Sequence, residues 1–169
     1  MKIAPLKLPG AYQITLEPTG DSRGYFMRTY DETVFRQHGL QTSWIQESQS
    51  FTTERHTVRG IHFQRPPHAE TKLVRVLRGT ILDVLVDLRK DSPTCGEWES
   101  IELSEENSLA VYIPKGFGHG FCTLTDTVII SYKMDSPYAP DAAGDVRWND
   151  PEINIKWPTT DPVLSEKDG

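Results

Sequence analysis

Residues 80–89 read TILDVLVDLR and carry the clearest structural pattern of the chain. Every even-numbered position from 82 to 88 is apolar, whereas Asp83 and Asp87 stand at odd-numbered positions. Because successive side chains of a strand point to opposite faces, this period of two predicts a β-strand with one core face and one more polar face. Arg78 and Gly79 come just before it and predict a tight hairpin turn that joins it to the preceding strand.

Short β-rich segments surround this strand, and the 12 glycines and 12 prolines of the 169-residue chain separate them. Asp31 and Gly39 are typical of the two ends of a short helix, and residues 120–134 predict a last hairpin that turns near residue 125. Regular spacing of short strands and turns is typical of an antiparallel sandwich or barrel. We therefore predict an all-β jelly-roll barrel, with a few short helices, that forms a single domain over residues 1–169. Its other strands are expected at residues 11–17, 24–30, 43–51, 56–64, 71–77, 98–103 and 109–113.

Composition and charge narrow the class of protein. Hydrophobic residues make up 37% of the chain and charged residues 25%, which is typical of a globular protein. The net charge is −6, so we expect no nucleic-acid partner. No apolar run approaches the ~20 residues of a membrane helix, and the N-terminus lacks the apolar segment of a secretion signal. We therefore expect a cytoplasmic protein with no membrane partner, in which Cys95 and Cys122 are free thiols.

Five histidines invite the hypothesis of a metal centre, because metal-binding barrels of this kind offer clustered histidines together with an acid. His62 lacks the second histidine that such sites place two residues further on. No glutamate close to His119 completes a set either. We therefore predict no metal and no other cofactor, and we keep a metal-dependent dioxygenase or isomerase as an alternative.

Three residues point to a different chemistry. Strict alternation would put Arg59 and His62 on opposite faces of their strand, but a bulge at Gly60 would bring them to one face. Lys72 and Tyr132 each share one face of their strand with apolar residues, so both are expected to point towards the core. A buried lysine is costly unless it is paired or functional, whereas Tyr132 taken alone also fits a simple core position.

A histidine, a lysine and a tyrosine that line one barrel would suit proton transfer next to a carbonyl group. The histidine would remove the proton, the lysine would stabilise the enolate oxygen, and the phenol would return a proton to the opposite face. The spacing of these residues along the chain leaves open whether they meet.

Six motifs, in a fixed order and at similar spacing, give the chain its resemblance to a known family. They span nearly the whole sequence, so the set is far more specific than any one of them. The motifs are GDSRGYF (20–26), RGIHFQ (59–64), KLVR (72–75), DVLVDLRKDSPT (83–94), IPKGFGHGF (113–121) and RWNDP (147–151). In these motifs the chain resembles the dTDP-4-dehydrorhamnose 3,5-epimerase family.

The resemblance implies a metal-free, cupin-like jelly roll (a double-stranded β-helix), usually a homodimer, whose substrate is a nucleotide sugar. It implies an isomerase of deoxysugar biosynthesis that inverts C3 and C5 of a 4-keto-6-deoxyhexose carried on a nucleotide diphosphate, most often dTDP. The implied catalytic residues are His62 as base, Asp168 as the acid that orients it, Lys72 near the ketone oxygen and Tyr132 as the acid on the opposite face. The implied substrate-binding residues are Arg23, Phe26, Arg28, Gln46, Ser48, Arg59, His119, Tyr138 and Lys167, with Tyr138 stacked on the base.

Four positions depart from the family pattern, and all of them are binding positions. Arg28 stands where Glu is usual, Ser48 where Asn is usual, Pro137 where Tyr is frequent and Ala143 where Glu is usual. Because specificity rests on a few polar contacts, these changes leave open the sugar, the nucleotide (GDP or CDP instead of dTDP) and whether one or both carbons are inverted. A non-catalytic sugar-binding barrel is a further alternative, although it would not need the three residues proposed for proton transfer.

Overall fold

The computed structural model describes all 169 residues, and two antiparallel sheets form the walls of a barrel. The elements are β1 (Lys2–Pro5), β2 (Tyr12–Thr15), β3 (Thr19–Asp21), β4 (Gly24–Phe26), α1 (Glu32–Gln37), β5 (Gln46–Thr52), β6 (Val58–Gln64), β7 (Lys72–Arg78), β8 (Thr80–Asp87), β9 (Trp98–Ser104), β10 (Leu109–Ile113), β11 (Phe117–Thr123), β12 (Val128–Met134), a 3-10 helix (Pro140–Ala142) and β13 (Ala143–Asp145). One sheet has the strand order β1-β2-β10-β7-β12-β5, and the other has the order β13-β6-β11-β8-β9. The predicted all-β barrel is confirmed.

Apolar side chains from both sheets fill the barrel. Val74, Val111 and Ile130 of the six-stranded sheet pack in one cluster with Leu85 and Phe121 of the five-stranded sheet. Full burial of a side chain of this size contributes about 1.5–3 kcal/mol relative to an exposed one. Against this apolar interior, the few polar side chains that point inwards stand out as candidates for function.

Strand β8 is buried on both faces, so the prediction of one polar face is wrong. The odd-numbered residues Ile81 and Leu85 lie in the barrel interior, and Asp83 on the same face is also fully buried. On the other face, Val84 is buried in a second cluster with Ile155 of the C-terminal segment. The alternation is present, but the C-terminal segment covers the outer face and the acidic residue points into the barrel.

The two predicted hairpins are also wrong. Strands β7 and β8 belong to different sheets, and so do β11 and β12. In a jelly roll the chain passes from one sheet to the other at such turns, so consecutive strands face each other across the core instead of pairing. Gly79 makes the first of these crossings with φ +78°, a conformation that favours glycine.

The predicted helix is confirmed as α1, which lies outside the six-stranded sheet. The Asp31 side chain accepts hydrogen bonds from the backbone N–H groups of Thr33 at 3.0 Å and Val34 at 3.3 Å, which caps the helix. Gly39 follows with φ +68° and ends it. Phe35 buries the inner side of the helix in an outer apolar cluster. No helix of the structure is long and apolar enough to span a bilayer.

Candidate active site

Strand β6 brings two of the predicted site residues to the barrel interior. Its register with β11 pairs His62 with His119 and Arg59 with Phe121, so two residues of β6 oppose one of β11 between these pairs. This is the bulge predicted at Gly60, and it places Arg59 and His62 on the same face. Gly60 has φ +121°, and a Cβ there would lie 2.5 Å from the backbone of β11, so only glycine fits.

A carboxylate from the far end of the chain holds the His62 ring. Nε2 of His62 lies 2.7 Å from Oδ1 of Asp168, whose side chain is only 6% exposed. Ser165 donates its hydroxyl to the other carboxylate oxygen at 2.9 Å. Because a carboxylate accepts hydrogen bonds, Nε2 is the nitrogen that donates, and in the neutral form of the ring Nδ1 then keeps the lone pair. In that form Nδ1 of His62 can accept a proton, and the side chain is 36% exposed.

The segment that supplies Asp168 is attached beside β6. Val163 exchanges two backbone hydrogen bonds of 3.0 Å with the residues on either side of position 57. Further on, Nζ of Lys167 lies 3.3 Å from Oδ1 of Asp145, and this oxygen lies 3.7 Å from Nε2 of His62. Lys167 and Asp168 thus both come close to His62, together with Asp145, a residue that the sequence did not suggest.

Lys72 and Tyr132 project into the barrel from the opposite, six-stranded sheet. They line a cleft of about 300 Å³. The lining residues are Gln46, Ser48, Glu70, Lys72, Tyr132, Met134 and Tyr138. The rings of His119 and Tyr132 come from the two sheets and meet edge to face, with centroids 6.4 Å apart. Because His62 is the cross-strand neighbour of His119, it lies on the other side of the barrel from Tyr132.

The surroundings of the Tyr132 hydroxyl determine its hydrogen bonding and its acidity. It lies 2.9 Å from Oγ of Ser50. Burial raises the pKa of the Tyr132 phenol well above its ordinary value, and the nearby Asp83 carboxylate acts in the same direction, whereas the Ser50 hydrogen bond opposes them. The phenol is therefore protonated at neutral pH, as an ordinary tyrosine is, and burial makes it a weaker acid than an exposed one.

Lys72 has a carboxylate partner that sequence reasoning missed. Its Nζ lies 3.2 Å from Oε1 of Glu70, and both side chains are largely buried. The pairing explains how a lysine is tolerated inside the barrel, and it fixes the ammonium group at the wall of the cleft. Glu70 stands two residues before Lys72, so the two side chains of an extended chain point to the same side. This spacing is the only sequence signal that could have found the pair.

His119 also has a buried acidic partner. Its Nε2 lies 2.8 Å from Oδ1 of Asp83, and both side chains are buried. The second oxygen of Asp83 has no hydrogen-bond partner. The sequence did not suggest Asp83, because the alternation in β8 predicts a core face and a more polar face and puts Asp83 on the more polar one.

Two further predicted residues are Tyr138, which lines the cleft, and Arg59, which lies beside it. Tyr138 is 64% exposed, and its backbone N–H donates to Oε1 of Gln46 at 3.0 Å. The Tyr138 ring is thus free to stack on a ligand. Nε of Arg59 donates to Oγ1 of Thr52 at 3.1 Å, and Arg59 lines a neighbouring depression together with Asp168.

Three predicted binding residues lie outside the barrel. Strands β3 and β4 form a separate hairpin that pairs with no other strand, and Phe26 at its end is 73% exposed. Arg23 and Arg28 form ion pairs with nearby aspartates of their own segment, at 2.6 Å and 3.3 Å. Met27 packs on the outer apolar cluster next to α1. The structure therefore does not bring Arg23, Phe26 or Arg28 to the cleft of the same chain.

The arrangement suits proton transfer on both faces of a flat or nearly flat carbon centre. The His62 imidazole projects from one sheet, and the Tyr132 phenol and the Lys72 ammonium group project from the other. A ligand ring between the two sheets would meet the base on one face and the acid on the other. No group of three or more histidine, cysteine or acidic side chains is arranged to hold a metal ion.

Solved structures that match this fold over nearly the whole chain are sugar-nucleotide epimerases. The dTDP-4-dehydrorhamnose 3,5-epimerase of Bacillus anthracis with TDP and PPi bound matches with a TM-score of 0.96 and 44% identity, over 99% of this chain and 95% of that one. A 3'-monoepimerase from Streptomyces bikiniensis in complex with dTDP-quinovose matches with a TM-score of 0.91 and 35% identity, over 97% and 83% of the two chains. The cupin-like barrel and its site therefore define an isomerase of the sugar-nucleotide epimerase class.

The sequence shows the family within that class. The sequence profile of dTDP-4-dehydrorhamnose 3,5-epimerase matches residues 5–169. The dTDP-4-dehydrorhamnose 3,5-epimerase of Methanothermobacter thermautotrophicus is 46% identical over 164 residues, which cover 95% of this chain and 88% of that protein. The chain belongs to the dTDP-4-dehydrorhamnose 3,5-epimerase family, and the resemblance inferred from the six motifs is confirmed.

Proposed function

We propose that this chain epimerises a 4-keto-6-deoxyhexose carried on a nucleotide diphosphate, at C3, at C5 or at both, with no cofactor beyond the substrate's own ketone. One observation supports this above all: His62 and Tyr132 project into the barrel from opposite sheets. Inversion of a carbon needs a base on one face and an acid on the other, because a base alone would return the proton to the face that lost it.

The reaction runs through an enolate. Nδ1 of His62 takes the proton from the carbon next to the ketone, and the electron pair of that C–H bond moves into the carbonyl to leave a negative oxygen. The Lys72 ammonium stabilises this oxygen, and the Asp168 carboxylate stabilises the imidazolium formed. The Tyr132 hydroxyl then donates its proton to the opposite face of the carbon as the carbonyl re-forms. Proton exchange with solvent resets His62 and Tyr132.

The nucleotide end of the substrate fits the border of the cleft. The Bacillus anthracis relative holds TDP and the Streptomyces bikiniensis relative holds dTDP-quinovose. Arg59 and Lys167 supply positive charge for a diphosphate, whereas His119 is buried and its Nε2 is held by Asp83. Tyr138 presents an exposed ring for the base. We therefore propose dTDP as the nucleotide.

Deuterium exchange distinguishes the remaining alternatives for the substrate. The protein is incubated in D2O with dTDP-, GDP- and CDP-linked 4-keto-6-deoxy sugars, and NMR reports which carbons gain deuterium. Exchange is expected with the dTDP sugar, and label at C3 alone would identify a monoepimerase. No exchange with any of the three sugars would contradict the proposed function. Arg28 and Ser48, which depart from the family pattern, bear on which of the three sugar nucleotides is accepted, because both change polar contacts proposed for binding.

Asp168→Asn is expected to slow deuterium exchange by about 10- to 100-fold, less than loss of the base itself. An asparagine amide can donate to Nε2 of His62, which would place the ring proton on Nδ1 and remove the lone pair from the reacting position. The exchange rate measured by NMR checks this, with the exposed Asp161→Asn in the same segment as matched control. An Asp168→Asn rate equal to that of the control would show that the carboxylate does not orient His62.

We also propose that the chain works as a homodimer. Phe26, Ile45 and Phe51 are large apolar residues that are more than half exposed, and β5 is an edge strand of the six-stranded sheet that pairs with β12 on one side only. In a dimer, Arg23, Phe26 and Arg28 could bind substrate in the cleft of the second copy, which reconciles their proposed role with their position outside the barrel. Light scattering is expected to give about twice the 19.2 kDa of one chain.

Complementation tests this shared site. Arg23→Ala and His62→Ala are each expected to lose activity, and a mixture of the two, unfolded and refolded together, is expected to regain it. If Arg23 serves the other copy's cleft, each mixed dimer has one intact site, so about a quarter of all sites recover in an equal mixture. A mixture no more active than the single variants would show that Arg23 does not serve the cleft of the other copy.

We propose the cytoplasm as the location, because both cysteines are free thiols and free thiols suit a reducing compartment. We further propose that residues 1–169 act as a single domain, since the base in β6 and its orienting acid near the C-terminus lie 106 residues apart in sequence and meet in one barrel.

A further inference from the structure

Gln64 is a buried polar residue to which the mechanism above assigns no task. It lies two positions after His62 on β6 and is only 6% exposed. Alternation places the two side chains on the same face of the strand, about 7 Å apart along it. A buried amide of this kind is costly unless its polar atoms are paired.

The polar atoms of Gln64 hold the segment that carries Tyr138. Its Oε1 accepts a hydrogen bond from the backbone N–H of Ala139 at 2.6 Å, and its Nε2 donates to the carbonyl of Pro137 at 3.2 Å. A single side-chain amide thus binds both chain neighbours of Tyr138. Gln46 completes the attachment, because it accepts from the Tyr138 N–H itself.

The same amide also reaches the segment that precedes Lys72. Nε2 of Gln64 lies 3.0 Å from the carbonyl oxygen of His68 and 3.4 Å from Oε2 of Glu70. The other oxygen of Glu70 pairs with Lys72. Gln64 therefore sits between the lysine of the reacting end and the tyrosine at the edge of the cleft.

We propose that Gln64 is a positioning residue that fixes Tyr138, and hence the nucleotide base, at a set distance from His62. Because Gln64 and His62 belong to one strand, the rigid backbone of β6 sets that distance. The site would then favour sugars linked to a nucleoside diphosphate over shorter sugar phosphates. The inference rests on the proposed stacking role of Tyr138.

A double-mutant cycle on dTDP affinity tests the inference. Gln64→Met keeps the side-chain volume and removes the polar atoms, Tyr138→Ala removes the ring, and calorimetry gives the Kd of dTDP for each variant and for the double variant. Each single change is expected to weaken binding about 10-fold, and the double variant no more than about twofold beyond Tyr138→Ala. With the sugar nucleotide, Gln64→Met is expected to raise KM more than it lowers kcat. Gln37→Met, at an exposed site of α1, is the matched control and is expected to leave Kd unchanged.

Each contrary outcome has its own meaning. A double variant whose loss equals the product of the two single losses would show that Gln64 acts independently of Tyr138 and would overturn the inference alone. Unchanged dTDP affinity in Tyr138→Ala would overturn the proposed role of Tyr138 and the inference with it, without touching the chemistry at His62. If Gln64→Met does not fold, Gln64→Glu enters the same cycle, since it keeps the acceptor for Ala139 and loses the donor to Pro137.

Discussion

His62→Ala is expected to reduce deuterium uptake from D2O into dTDP-4-keto-6-deoxyglucose by about 100- to 10,000-fold, the usual contribution of a general base. The reason is that the contact of Nε2 with Asp168 leaves Nδ1 as the His62 ring nitrogen with a free lone pair. NMR of the C3 and C5 protons measures the rate directly. Affinity for dTDP is expected to stay within about threefold, because the imidazole faces the sugar rather than the base.

His38→Ala is the matched control, since His38 is exposed at the end of α1 outside the barrel. Its exchange rate is expected to equal that of the unaltered protein. Full exchange in His62→Ala with normal dTDP binding would remove His62 from the role of base and would leave the site without an explanation of its chemistry.

Tyr132→Phe is expected to separate proton exchange from inversion. The phenol is proposed to deliver the proton to the face opposite His62, so without it the enolate still forms but is reprotonated by His62 on the original face. Epimer formation is expected to fall about 100-fold or more, while deuterium uptake falls far less. One NMR time course reports both, because retained sugar with deuterium and inverted sugar give different spectra.

Tyr12→Phe is the control for the loss of a hydroxyl, because Tyr12 packs in the outer cluster away from the cleft. It is expected to leave both rates unchanged. Equal losses of exchange and inversion in Tyr132→Phe would mean that the phenol takes part in forming the enolate instead of protonating it from the far side.

The fold class could be predicted from the sequence because period-2 alternation in strands such as β8 is a local property. Which strands pair is not local. The turn at Gly79 has the same composition whether the next strand returns in the same sheet or crosses to the other one, and only packing across the core decides. The burial of Asp83 was missed for the same reason, since alternation separates two faces without saying which one is outside.

The site residues also divide into those that local sequence predicts and those that only the folded chain brings together. His62, Lys72 and Tyr132 stood out as polar residues in apolar strands, and the bulge at Gly60 was predictable because glycine inside a strand is unusual. Partners that lie far away in sequence could not be found from the residues themselves. Asp145 gains meaning only from its contact with His62 in the folded chain. Glu70 is close to Lys72 in sequence and was missed for another reason, because it comes just before the predicted strand.

A crystal structure with a bound dTDP-sugar would test the central claim most directly, through the distances from His62 and Tyr132 to the ring carbons. We expect Nδ1 of His62 and the Tyr132 hydroxyl on opposite faces of the sugar, each within about 3.5 Å of C3 or C5. The Lys72 ammonium is expected beside the oxygen at C4. A sugar bound outside the barrel, or with both residues on one face of its ring, would contradict the account.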